Sequence, residues 1–109
     1  MNLTTENTIG YDNVTEAQLH EAFRDDKGRG SFIILSKGET DFIQASSDAT
    51  GFDVEYREGA DQFRADGPYS KGRVEQAFLY YLTNDERWRT EFPWQKMDFK
   101  PSKPWWKFW

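Results

Sequence analysis

The sequence predicts an α+β domain, with a four-stranded antiparallel meander sheet flanked by an N-terminal helix and a C-terminal helix. Three observations support this class. Apolar and polar residues alternate along residues 52–57 and again along 63–65, the period of a strand with one buried face. Two short apolar runs, residues 32–35 and 42–45, precede this pair. A helical stripe of apolar residues follows at 74–82.

The N-terminal helix is expected to begin after Thr15. Gln18 lies three residues later, where its side chain can close a capping box with Thr15. Leu19 and Phe23 then have the spacing of one apolar helical face. The helix ends in a charged segment with two glycines, residues 25–30. Because this segment follows a helix and precedes a strand, the reverse of a phosphate-binding loop, we interpret it as a connector.

The four strands are expected to follow one another through short connections. Residues 32–35 are apolar at every position, as in a strand covered on both faces or lying centrally in a sheet. A turn leads to the second strand at 42–45, and residues 46–51 form a polar loop. The hairpin at 52–65 turns at Gly59, which accepts the positive φ that a tight turn needs. Such short connections favour a meander.

The C-terminal helix is expected to begin after Ser70, which has the residue type of an N-cap. Its apolar stripe consists of Val74, Ala77, Phe78, Tyr81 and Leu82. A short third helical turn through Trp88 ends before Pro93. Trp88, Phe92 and Trp94 are interpreted as core rings that close the end of the sheet. An exposed aromatic contact is the alternative, but large rings are more often buried.

Composition excludes several kinds of site. The 109 residues include no cysteine, which removes disulfides, Cys-based zinc sites and Cys nucleophiles. His20 is the single histidine and lies on the predicted polar side of its helix, so a surface position without a metal or cofactor is expected. No secretory signal is visible, and no apolar stretch approaches the roughly 20 residues of a membrane span. We therefore expect a cytoplasmic protein.

The net charge of −5 is unevenly distributed. Residues 1–95 carry ten Lys and Arg against 18 Asp and Glu, whereas residues 96–109 carry four Lys and one Asp. An acidic body repels nucleic acid and attracts a basic partner, mainly by steering the encounter. Ordinary solubilising charge is the simpler explanation.

Five polar residues are predicted to share the solvated face of the hairpin: Asp53, Glu55, Arg57, Gln62 and Arg64. We interpret them as a recognition face for a protein partner, with a merely solvated sheet face as the alternative. Asp53 and Glu55 project about 7 Å apart, a separation that some paired-carboxylate hydrolases use. Alternating charges on a solvated strand have the same pattern, so catalysis by this pair is the less favoured hypothesis.

Residues 1–99 are expected to form one domain, and residues 100–109 a tryptophan-rich C-terminal tail. Trp105, Trp106 and Trp109 lie in this tail, and its two prolines prevent a continuous helix. Three interpretations remain open. The tail covers the second face of the strand at residues 32–35, it docks into a partner's groove with its Trp rings as anchors, or it adsorbs to a membrane surface.

From Phe32 to Trp94 the layout resembles small bacterial immunity-type and uncharacterised α+β proteins of polymorphic toxin systems. The resemblance is carried by residues 42–45, 52–59 and 85–88, by Val74, Ala77, Phe78 and Tyr81, and by 92–94. It implies a non-enzymatic inhibitor that occludes a toxin domain with a basic active site. The alternative is an accessory module of phage or plasmid type that docks through the C-terminal tail. An enzyme of unknown class is the third hypothesis.

Overall fold

The computed structural model describes residues 1–5, 8–24 and 32–97, so the predicted connector at 25–30 and the C-terminal tail at 100–109 lie outside it. Within the described ranges the elements are β1 (Asn2–Thr5), β2 (Thr8–Tyr11), α1 (Glu16–Arg24), β3 (Phe32–Ser36), β4 (Phe42–Asp48), β5 (Gly51–Glu58), β6 (Asp61–Tyr69), α2 (Lys71–Leu82), a 3-10 helix (Glu86–Thr90) and β7 (Gln95–Met97).

The described strands form one seven-stranded antiparallel sheet in the order β2-β1-β3-β4-β5-β6-β7. The prediction of a four-stranded sheet is therefore wrong, although the α+β class agrees with the structure. The predicted meander is the centre of the sheet, β3 to β6. The other three strands are short, and β1 and β7 are largely polar. They join the edges of the sheet through backbone hydrogen bonds. Such pairing does not require alternating apolar residues, so the sequence does not show it.

Two of the predicted strands also end at the wrong residue. The segment predicted as the polar loop 46–51 contains the last residues of β4 and the start of β5. Strand β6 continues to Tyr69 and does not end before Gly67. Three consecutive polar residues at 46–48, of which Ser47 is buried, hid the end of β4, and Gly67 with Pro68 has the composition of a turn although both lie in β6.

One face of the sheet packs against both helices, and we call it the core face. In β3, Ile33 and Leu35 point to this face and are 2% and 0% exposed. The ring of Phe23 in α1 lies between the sheet and α2, with its centroid 5.9 Å from Phe52 and 5.1 Å from Phe78. Strand β3 is central in the sheet, as predicted.

The opposite face, which we call the open face, carries the other residues of β3. Phe32 is 36% exposed, and Ile34 is half-buried. Of the two alternatives predicted for β3, the structure shows the central position, and the C-terminal tail that was expected to cover its second face lies outside the described residues. Both helices pack on the core face, and the apolar residues of β3 continue across both faces.

Local signals located the helix starts correctly. The Thr15 N–H donates to Gln18 Oε1 at 3.0 Å, and the Gln18 N–H donates to Thr15 Oγ1 at 3.2 Å, which is the predicted capping box. Ser70 caps α2 by accepting the Arg73 N–H at 3.3 Å. At the turn of the hairpin, Gly59 has φ +60°, as predicted.

An aromatic cluster closes the core beside α2, which confirms the predicted core rings. Trp88 is 1% exposed and Phe92 is 5% exposed, while Trp94 is half-buried against them. The Trp88 ring meets Tyr56 edge to face at 4.6 Å and lies 5.1 Å from Tyr81. Such contacts favour a single arrangement of the rings in addition to burying their area.

Candidate functional site

The open face brings all five predicted recognition residues together. Asp53, Glu55 and Arg57 alternate with the buried residues of β5, and Gln62 and Arg64 do the same in β6. The strand register places Glu55 opposite Arg64, and Arg57 opposite Gln62. Arg64 is exposed and the other four are half-buried, so they form a continuous polar surface.

Side-chain hydrogen bonds hold this surface in a defined arrangement. Gln62 Nε2 donates to Glu55 Oε1 at 2.7 Å. Arg57 Nε donates to the Gly59 carbonyl oxygen at 2.8 Å. These bonds reduce the freedom of the side chains before any partner arrives, which lowers the entropy cost of binding.

Asp53 and Glu55 share a face but have separate surroundings. Asp53 Oδ1 accepts the Gly67 N–H at 2.6 Å, at the register shift between β5 and β6. Asp53 also lines an open depression of about 230 Å³, together with Asp48, Thr50, Gly51, Phe52, Gly67 and Pro68. Glu55 does not line this depression. Asp53 therefore has a backbone partner and a neighbouring depression that Glu55 does not share.

Two further carboxylates, Asp48 and Asp66, were missed from the sequence. Asp48 ends β4 on the open face, and its Oδ1 accepts the Thr50 hydroxyl at 2.6 Å and the Thr50 N–H at 2.7 Å. These hydrogen bonds, that of the Thr50 hydroxyl above all, lower the pKa of Asp48. Asp66 follows in β6 and accepts Arg64 Nε at 2.6 Å. Continuing the period-two alternation beyond residue 45 would have found Asp48.

The described open face has an excess of negative charge. Four carboxylates lie on it, from Asp48, Asp53, Glu55 and Asp66, against two guanidinium groups, from Arg57 and Arg64. Because Arg57 and Arg64 lie among these carboxylates, positive and negative groups have defined positions on the surface in addition to its net negative charge. Patterned charge favours a partner whose basic and acidic groups have the matching arrangement.

An ion pair at the end of β5 connects the sheet to the 3-10 helix. Both terminal nitrogens of Arg89 donate to the Glu58 carboxylate, one of them at 2.9 Å to Oε1. Hydrogen bonding from Arg89 is the main cause that lowers the pKa of Glu58. The same carboxylate raises the pKa of Arg89. This pair therefore contributes stability only while Glu58 is ionised.

We expect acid to remove this contribution. The folded-state pKa of Glu58 lies below its ordinary value of 4.5, so the stabilisation is present above about pH 4.5 and is lost as the pH falls through the folded-state pKa. Glu58→Gln should lower the free energy of unfolding at pH 7 by about 1 kcal/mol or less, because the pair is partly exposed. The variant and the unmodified protein should converge at pH 3 in urea titrations followed by circular dichroism.

The matched control for this experiment is Glu39→Gln, at an exposed glutamate in the β3–β4 turn. It should change the free energy of unfolding little at either pH. If Glu58→Gln showed the same loss of stability between pH 7 and pH 3 as the unmodified protein, the Arg89 pair would not be the source of the acid sensitivity.

The remaining predicted features have separate locations. The side chain of His20 is 60% exposed, as expected, and its Nδ1 lies 2.8 Å from Glu75 Oε2 on α2. In the ranges that the structure describes, no three His, Asp or Glu residues are grouped as a metal site would require. No helix in those ranges is long and apolar enough to cross a membrane. Trp105, Trp106 and Trp109 lie outside the described residues.

Comparisons with known proteins identify no relative of this chain. Protein-family models, curated proteins and solved structures were compared with it, and none matches.

Proposed function

We propose that this chain is a non-enzymatic cytoplasmic protein that binds a basic protein partner and blocks it by occlusion, as an immunity protein or inhibitor does with a toxin domain. The observation that carries the proposal is the open face, a surface of a seven-stranded sheet on which Asp53, Glu55, Arg57, Gln62 and Arg64 lie side by side. These residues alternate along their strands with residues of the core face, so the fold itself keeps them together on one surface.

The geometry supports binding by a surface better than reaction in a pocket. The five residues lie on two adjacent strands of the sheet, and Glu55 does not line the depression that Asp53 lines. An acidic enzyme site typically encloses its carboxylates, so that burial and mutual repulsion shift their pKa values apart. A flat, hydrogen-bonded surface instead fits another protein surface and excludes water from it.

Charge supports a basic partner. The four carboxylates of the open face exceed its two guanidinium groups, and the whole chain has a net charge of −5. Such a field accelerates the encounter with a positively charged surface, and the acceleration decreases as salt screens it. A toxin domain that acts on nucleic acid has a basic active site of this kind, and an acidic face covering it would prevent access of the substrate.

Glu55 is the residue best suited to test the proposal. It lies near the middle of the face, opposite Gln44 on one side and Arg64 on the other. Its carboxylate accepts a side-chain hydrogen bond from Gln62, whereas the strand pairing uses backbone groups, so its removal should leave that pairing intact. Asp53 is less suitable, because its carboxylate accepts the Gly67 N–H and contributes to the fold.

The expected result is a weaker complex for Glu55→Gln. A partner is first isolated from the lysate of the source cell with the full-length chain as bait, and its affinity is then measured with purified proteins. Loss of a central charge should weaken binding about tenfold, which corresponds to about 1.4 kcal/mol, with a reduced dependence on salt. The control is Glu16→Gln, at an exposed glutamate in α1, on the side of the sheet away from this face.

Three results would contradict the proposal. The first is a bait that retains no stoichiometric partner. The second is a partner whose affinity changes equally in the Glu55→Gln and Glu16→Gln variants. The third is a partner with an acidic surface. An unchanged circular dichroism spectrum in both variants would show that any change in affinity arises at the face and not from unfolding.

A further inference from the structure

The open face has an apolar part beside its charged part. We define the apolar patch as Phe32 and Ile34 of β3 with Phe42 of β4. The register places Ser36 opposite Phe42 and Ile34 opposite Gln44, so the three patch residues lie on neighbouring strands of one face. Phe32 is 36% exposed, while Ile34 and Phe42 are half-buried. An exposed apolar surface of this kind usually marks a contact site.

The chain itself contains a segment suited to this patch. The C-terminal tail, residues 100–109, has Trp105, Trp106, Phe108 and Trp109 within its last five residues. Only residues 98 and 99 separate it from Met97.

The pairing of Met97 places the last described residue of the chain on the open face. Met97 pairs with Gln62, and Gln62 pairs with Arg57, whose neighbour on β4 is Phe42. Met97 and Phe42 therefore lie in one row of the open face, three strand spacings apart. At about 4.8 Å per spacing this is about 14 Å, and the distance to β3 is about 19 Å.

The tail is long enough to reach the patch. Trp105 follows Met97 by eight residues, and an extended chain of that length spans about 26 Å at about 3.3 Å per residue. Phe32 lies four residues along β3 from Ser36, which is in the same row as Met97, so it is about 23 Å from Met97, and an extended tail just spans this distance. Pro101 and Pro104 lack the N–H that a paired strand needs, which favours packing on the face over addition as a new strand.

Charge favours the same route. The path from β7 to the patch crosses β6 and β5, where three carboxylates outnumber two guanidinium groups; they belong to Asp53, Glu55 and Asp66 and to Arg57 and Arg64. The tail contributes Lys100, Lys103 and Lys107 and no acidic residue. We propose that the C-terminal tail docks on the apolar patch of its own chain and crosses the charged part of the open face. This inference does not rest on the proposed function, because it concerns an intramolecular contact.

The absence of cysteine allows a direct test in the full chain. A nitroxide is attached to Ser46→Cys, an exposed position opposite Phe32 on the open face. In a second variant of the chain the nitroxide is attached to Gln76→Cys, an exposed position on α2. The indole N–H signals of Trp105, Trp106 and Trp109, assigned through single Trp→Phe variants, are recorded by NMR before and after reduction of the nitroxide.

The tail signals should lose more than half of their intensity with the label at residue 46, and clearly less with the label at residue 76. The double substitution Phe32→Ser with Phe42→Ser should restore them, whereas Tyr11→Ser, at an exposed ring away from the patch, should not. An unchanged Trp88 indole signal reports that the core of each variant is folded. Should the double variant fail to fold, Phe32→Ser alone replaces it.

Three results would overturn the proposal. Equal effects from the two labels, or none from either, would mean that the tail has no preferred place on the open face. If Tyr11→Ser restored the intensity of the tail indole signals as the patch substitutions do, the tail would have no specific contact with the patch. Broadening that appears only when isotope-labelled chains are mixed with separate spin-labelled chains would place the rings on a second copy. None of these measurements involves a partner, so their failure is separate from that of the proposed function.

Discussion

Replacing Trp88 with alanine is expected to lower the free energy of unfolding by about 3–5 kcal/mol. Trp88 is 1% exposed and lies between the sheet and α2. Its ring contacts Tyr56 at 4.6 Å, Tyr81 at 5.1 Å and Trp94 at 6.2 Å. No neighbouring side chain can fill the volume of an indole without leaving its own position. Because small domains are stable by only about 5–15 kcal/mol, the loss is a large part of the total.

Urea titration at 25 °C, followed by far-ultraviolet circular dichroism, measures this loss without relying on tryptophan fluorescence. Trp88→Phe should cost less than Trp88→Ala, because a phenyl ring refills part of the cavity. Tyr11→Ala is the control for loss of a ring at the surface, since Tyr11 is 42% exposed, and its cost should be about 0.5 kcal/mol or less. Equal costs for Trp88→Ala and Tyr11→Ala would show that the aromatic cluster is not the centre of the core.

Gly67→Ala is the second substitution with a large expected effect. A Cβ atom at this position would lie 2.1 Å from the Phe52 carbonyl oxygen and 2.5 Å from the Tyr69 nitrogen. Both are backbone atoms, so relief at Phe52 requires β5 and β6 to separate, and relief at Tyr69 requires the backbone of β6 itself to change. The separation also weakens the hydrogen bond from the Gly67 N–H to Asp53. We expect a loss of about 3 kcal/mol, at the upper end of the usual cost of overpacking.

The matched control is the same substitution at Gly72, where a Cβ atom would meet nothing within 4 Å. Gly72 lies in α2, and alanine is the better helix former, so Gly72→Ala should raise the free energy of unfolding by up to about 1 kcal/mol. The pair is compared by urea midpoint under identical conditions. Destabilisation by both variants, or by neither, would contradict the close approach of β5 and β6 at Gly67.

The sequence predicted the elements whose signals are local. The capping box at Thr15 and the N-cap at Ser70 are contacts within four residues, and both were found where expected. The alternation in the hairpin 52–65 placed Asp53, Glu55 and Arg57 on one solvated face, and that placement needed only the period of a strand. The candidate recognition face was therefore accessible from the sequence.

Strand pairing at the edges was decided by tertiary structure. Asn2–Thr5 and Gln95–Met97 are short and largely polar, and they become strands because β3 and β6 offer them unpaired backbone groups. That interaction uses N–H and C=O groups, which are the same in almost every residue. The sequence has no pattern from which such pairing is evident.

The sequence by itself determined the α+β class, the helix starts, the central meander and the side-chain alternation of the hairpin. Tertiary structure decided the seven-stranded sheet, the surroundings that separate Asp53 from Glu55, and the solvent exposure of Phe32. The physical reason is the range of the interactions. Caps and periodicity act within a few residues, whereas Gly67 reaches Asp53, and β1 reaches β3, only after the chain has folded back on itself.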